Sequence, residues 1–133
     1  MSEPPCSLEI LQAISLKVVE ASPDAKIVIN ELGHIIIFNQ QAEFLFGYDR
    51  SEVEGKPIEM LLPERLREVH KSHREHYFQQ MKTREMGEGM NLLGLMSNGT
   101  EFGIQIKLAP IMVPKAGRHA LAVVRGLETK NDA

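Results

Sequence analysis

Between Glu101 and Ile111 the side chains alternate. Phe102, Ile104, Ile106 and Leu108 are separated by Gly103, Gln105, Lys107 and Ala109. A period of two predicts a strand with one buried face. Asn98-Gly99, just before it, is the residue pair that a tight hairpin turn favours, so Met90 to Met96 is expected as its partner strand. After a loop at Pro114-Lys115-Ala116-Gly117-Arg118, His119 to Arg125 reads as a third strand. Nearer the N-terminus, Ile27-Val28-Ile29 and Ile35-Ile36-Ile37-Phe38 are β-branched runs around Asn30-Glu31-Leu32-Gly33-His34, a hairpin with Gly33 available for positive φ.

A helical period governs other stretches. Ser7 can cap a helix from Leu8 to about Glu20, with Leu8, Leu11, Ile14 and Val18 as its stripe and Ser22-Pro23-Asp24 as its stop. Such a helix either folds back on its own domain or pairs with a second copy; a homodimer through Leu8–Val19 is the expectation. Asn39 caps a short helix, Gln40 to Phe46, closed by Gly47. Ser51-Glu52-Val53-Glu54 fits a capping box for one more turn, and Pro57 to Leu62 is a further short apolar turn. Leu61 to Phe78 reads as one long helix, with Pro63 in its first turn and Leu66, Val69, His73 and Tyr77 on its inward face. His70 lies at the edge of that face, about 60° from His73. Lys82 to Gly89 is a polar, Gly-punctuated connection.

The order is hairpin, short helices, long helix, then three antiparallel strands. It predicts an α+β fold with helices gathered on one face of an antiparallel sheet. Residues 1–21 form a tail and amphipathic helix, 22–128 the domain, and 129–133 a second tail.

Composition narrows the function. At 133 residues and 43% hydrophobic content, the chain can build one core. A formal net charge of -3 argues against direct nucleic-acid binding. No apolar run approaches the roughly 18 residues of a membrane span, and the N-terminus is unlike a secretory signal. Cys6 is the single cysteine, and a reducing, cytoplasmic setting is expected. There is no phosphate-binding Gly loop and no nucleophile elbow, so no enzyme is predicted.

Several stretches together resemble PAS domains, from about Leu8 to Lys130. They are Ala21-Ser22-Pro23-Asp24-Ala25, Gly33-His34-Ile35, Asn39-Gln40-Gln41-Ala42-Glu43, Phe46-Gly47-Tyr48, Glu54-Gly55-Lys56-Pro57, Leu62-Pro63-Glu64-Arg65, Asn98-Gly99-Thr100-Glu101-Phe102 and Val123-Val124-Arg125. The resemblance implies a five-stranded antiparallel sheet with a central ligand cavity, and a sensory or dimerisation role coupled to a signalling partner or output domain. The ending Gly126-Leu127-Glu128 replaces the Asp-Ile-Thr that commonly joins such domains to an output helix.

A narrower likeness is to haem-binding PAS domains of oxygen-sensor kinases. Aligned without gaps from Leu61 to Gly99, His70 falls at the position of the proximal haem ligand, and Tyr77 and Gly99 also match. An imidazole is a common axial ligand. Where oxygen sensors place a gas-binding arginine, this chain has Met90, a thioether that cannot donate a hydrogen bond but could ligate iron. The plain alternative is that His70 is a partly buried residue bonded to a neighbour. The cofactor is thus not named by the sequence. Haem is one alternative, and non-covalent flavin stands behind it, since Cys6 is misplaced for a flavin adduct and there is no Trp. His70, His73 and His76 span about 120° of helix, too wide to converge on one ion, and read as an exposed face able to respond to pH. The methionines at 81, 86, 90 and 96 read as core or pocket lining. The candidate ligand-contacting residues are therefore His70, His73, Tyr77, Met90, Leu92, Ile104 and Ile106, with His70 a metal ligand only if haem is bound.

Overall fold

The computed structural model describes residues 7–86 and 92–127; within these, the side chains of 7–11, 13 and 84–86 are left aside. The β-branched runs become strands β1 (Ala25–Asn30) and β2 (Ile35–Phe38), followed by α2 (Gln40–Phe46) and α3 (Arg50–Val53), with α1 (Ser7–Glu20) ahead of them. Two 3-10 turns, Ile58–Leu61 and Glu64–Leu66, lead to α4 (Arg67–Gln79). Strands β3 (Arg84–Met86), β4 (Leu92–Leu95), β5 (Glu101–Val113) and β6 (Gly117–Gly126) follow.

All pairings are antiparallel, in the order β2-β1-β6-β5-β3, with β4 also on β5. β3 pairs with Ile106–Leu108 and β4 with Glu101–Ile104, so six strands fill five positions. The register places Ile27 beside Ala122, Leu108 beside Ala122, and Leu92 beside Ile104. Side chains of this parity make the inner face, and they join Phe38, Phe46, Val53, Leu61, Tyr77 and Phe78 in one apolar cluster. The expected α+β fold with a five-position sheet is what the chain forms.

Local chemistry explains the joints. Gly99 takes φ +88 in the Asn98-Gly99 turn, as the hairpin requires. Asn39 is wholly buried and uses its side chain fully. Its Oδ1 accepts from Lys26 N and Ala42 N, and its Nδ2 donates to the carbonyls of Val19 and Asp24. One amide thereby fastens the end of α1, the start of β1 and the first turn of α2. Arg50 reinforces the root of α1 by bridging Glu20 and Glu43.

Three expectations need correcting. Leu61–Phe78 is not one helix: Leu62 and Pro63 are extended at ψ 152° and 142°, because a residue before proline avoids the helical region and Pro63 here starts only a 3-10 turn. The cap of α3 is Asp49, whose N–H donates to Glu52, rather than Ser51. The polar connection after α4 holds strand β3, which gains its hydrogen bonds from β5 rather than from any apolar pattern of its own. Of the two arrangements open to α1, folding back on its own domain is not seen for Ile14, Leu16 and Val18, which are 53%, 64% and 56% exposed.

Candidate functional site

The 3-10 turn Ile58–Leu61 carries a carboxylate in an apolar run. Its Met60 and Leu61 side chains pack in or against the core, yet Glu59 between Ile58 and Met60 is only 2% exposed. A buried charge is costly unless partnered. The partners come from α4, one helical turn apart. Glu59 Oε2 lies 2.6 Å from His70 Nδ1 and 3.1 Å from Arg74 Nε, while Oε1 accepts from the Arg74 Nη2 at 3.2 Å. Burial pushes the Glu59 carboxyl up, but the hydrogen bonds and charges of His70 and Arg74 outweigh it and bring it down to about 2.

Space for Arg74 comes from the β1–β2 turn. Gly33 has φ +80, and a Cβ there would collide with the Arg74 guanidinium. Arg118 of β6 donates to the carbonyl of Phe78 at the end of α4 and to Glu31 in the same turn. Helix α4 is thus held at mid-length by Glu59 and at its end by Arg118.

The inward face of α4 is therefore His70, Arg74, Tyr77 and Phe78, rotated by about 80° from the face expected. His70 is 30% exposed at its side chain and points to Glu59. His73 is exposed and lies off this face, as do Val69 and His76. Tyr77 is buried, edge-on to Phe78 with ring centroids 5.8 Å apart. Leu92 and Ile106 are half-buried against the core, and Ile104 is buried. Tyr77, Leu92, Ile104 and Ile106 are thus brought together, His70 stands apart in the polar cluster, and Met90 lies outside the described residues. Of the methionines, Met81 packs against the core and Met96 is half-buried; Met86 and Met90 are not among the described side chains. No group of three or more metal-ligating side chains occurs among the described residues.

Sequence reasoning passed over Glu59 and Arg74. The signal for them was a lone acid inside Ile58-Glu59-Met60-Leu61, and an Arg four residues after His70, a spacing that puts both on one side of a helix.

The family model described as PAS fold matches residues 16–126. The chain is 32% identical over 99 residues to the oxygen sensor protein DosP of Escherichia coli, covering 74% of this chain and 12% of that protein. It is also 32% identical over 91 residues to the sensor protein FixL of Bradyrhizobium diazoefficiens, covering 68% of this chain and 18% of that one. Among solved structures it superimposes on the PAS domain of an HTR-like protein from Haloarcula marismortui with a TM-score of 0.71 at 21% identity, over 90% of this chain and 94% of that one. A PAS domain from Colwellia psychrerythraea gives 0.72 at 23% identity, over 88% and 97%.

Proposed function

This chain belongs to the PAS family, and we propose that it is a receptor module that takes a small ligand between α4 and the inner face of the sheet and passes the change to a partner or output domain. The observation that carries the reading is Glu59, a charged group 2% exposed beside an apolar interior and gripped by two side chains of α4. Binding sites combine apolar walls with a few convergent polar groups. Tyr77, Leu92, Ile104 and Ile106 would supply apolar wall, and the Glu59–His70–Arg74 cluster, set apart from them along α4, would supply polarity. A guest that favours one packing of α4 on the sheet shifts the population of that packing. Native mass spectrometry and absorbance of the purified protein test this. A bound small molecule, released on denaturation, is expected; a ligand-free protein that also takes up nothing from a metabolite library would sink it.

The exposed Ile14, Leu16 and Val18 support a homodimer through the Leu8–Val19 helix as the route of output. No helix among the described residues is long and apolar enough to cross a membrane, and the single cysteine agrees with the cytoplasmic setting of this reading. The role is that of a sensor, not a catalyst.

A second reading, haem held by His70, is favoured by one contact. Metal-bound imidazoles usually give their other N–H to a carboxylate, a backbone carbonyl or water, and His70 Nδ1 lies 2.6 Å from Glu59 Oε2. His70 would be the residue that holds the iron, with Glu59 and Arg74 fixing its ring. Bound haem would supply an iron able to take a diatomic gas or change redox state. Reconstitution should give a Soret band that is lost in His70→Ala; an unchanged band in the variant removes this reading.

A further inference from the structure

The Glu59 carboxylate is shared in an ordered way. Arg74 approaches it as a fork, Nε to Oε2 and Nη2 to Oε1. The same Oε2 receives His70 at Nδ1, at 2.6 Å. An ionised carboxylate has no proton to give, so a contact this short requires the proton on Nδ1. In a neutral imidazole the other nitrogen, Nε2, then carries the lone pair. Arg74 is 11% exposed at its side chain and has room over Gly33, where a larger residue would displace it. It cannot lose its charge, so it holds the carboxylate ionised and oriented.

We propose that Arg74 and Glu59 are a clamp that keeps neutral His70 in its Nδ1–H form, so that α4 presents Nε2 as the hydrogen-bond acceptor for an N–H or O–H donor on the guest. Arg74 does not meet the guest. It is a positioning residue that acts through Glu59 on the ring of His70. The guest rests on the receptor reading above; the clamp does not.

The test is long-range proton–nitrogen correlation NMR of the 15N-labelled full chain at pH about 8.5, well above the ordinary histidine value of about 6.5. His119 is an internal reference, because its Nδ1 donates to the carbonyl of Gly117. The exposed His73 and His76 report the tautomer mixture of a solvated ring. His70 should match His119. A solvated-type mixture, or a ring protonated at Nε2, overturns the clamp outright, with no variant needed.

Arg74→Gln and Arg74→Lys should both move His70 toward the mixture, Lys less, while the His119 signal confirms that the domain is folded. An unmoved His70 tautomer in Arg74→Gln removes Arg74 from the role. Phenol, an apolar O–H donor, is the guest probe. It should shift the Nε2 resonance of His70 in the wild type at millimolar concentration and less than half as far in Glu59→Gln. A correct tautomer with no response to phenol overturns the acceptor site. A protein that neither co-purifies with a ligand nor takes one up from a metabolite library, yet shows the expected tautomer, would instead remove the receptor reading and leave the clamp.

Discussion

The guanidinium of Arg74 occupies the space into which a side chain at Gly33 would project. A turn between two strands and the middle of a helix are therefore fitted to each other at a single residue. Gly33→Ala meets both this collision and a φ of +80, which L-residues resist. The expected cost is about 2–4 kcal/mol in urea unfolding. The double variant Gly33→Ala, Arg74→Ala should cost at least about 1 kcal/mol less than the sum of the singles. Simple additivity would mean that Arg74 does not lie over Gly33.

Glu59 gives the domain an acid limb. Its carboxyl sits at about 2 in the folded chain against an ordinary 4.5, so it binds its proton less readily folded than unfolded. A depressed carboxylate stabilises the fold fully above about pH 4.5, and that stabilisation drains away as pH falls toward 2. The shift corresponds to roughly 3 kcal/mol. Stability measured from pH 6 to 2 should show this loss, and Glu59→Gln should be less stable at pH 6 and flatter with acid. Parallel curves for the two proteins would contradict the assignment.

Asn39 completes four hydrogen bonds from a fully buried site. Asn39→Ala strands two N–H groups and two carbonyls and should cost about 3–4 kcal/mol. Asn39→Asp keeps the acceptor but loses the donors to Val19 and Asp24, so α1 should loosen while α2 persists. Hydrogen exchange checks this: Ala21, whose N–H is bonded to the Lys17 carbonyl, should exchange faster in Asn39→Asp, and Ala42 should not.

The exposed apolar residues of α1 bear on association. Leu16→Glu with Val18→Glu should leave monomer stability within about 0.5 kcal/mol per site, because neither is buried in its own domain. Under the dimer proposal the same variant should sediment as a monomer, and its melting midpoint should lose the concentration dependence of the wild type. A wild type that is monomeric at high concentration ends that proposal.

Most of the fold was legible because it follows local rules. Asn39 and Gly47 bound α2 where a cap and a left-handed terminator should, and Asn98-Gly99 turns β4 into β5. What was not legible depends on partners distant in sequence. β3 has no pattern of its own and exists because β5 is long enough to pair with it. The facing of α4 departs from the expectation because apolarity points to Val69 and His73, whereas a buried acid on the preceding turn draws His70 and Arg74 inward. Hydrophobic periodicity cannot register a charge that is buried because it is paired. For the same reason the pattern marks Tyr77, Leu92, Ile104 and Ile106 as part of the apolar interior, where they lie, and gives no sign of Glu59.

The split of one sheet position between β3 and β4 also bears on solubility. A continuous outer strand would offer a long ladder of unpaired amides on which another chain could template fibrillar growth. Here that border is presented as segments of three and four residues. At the opposite border the backbone of Ile35 in β2 is already engaged by Gly55 and Lys56. Among the described residues, both rims therefore offer only short or already bonded edges to an incoming strand.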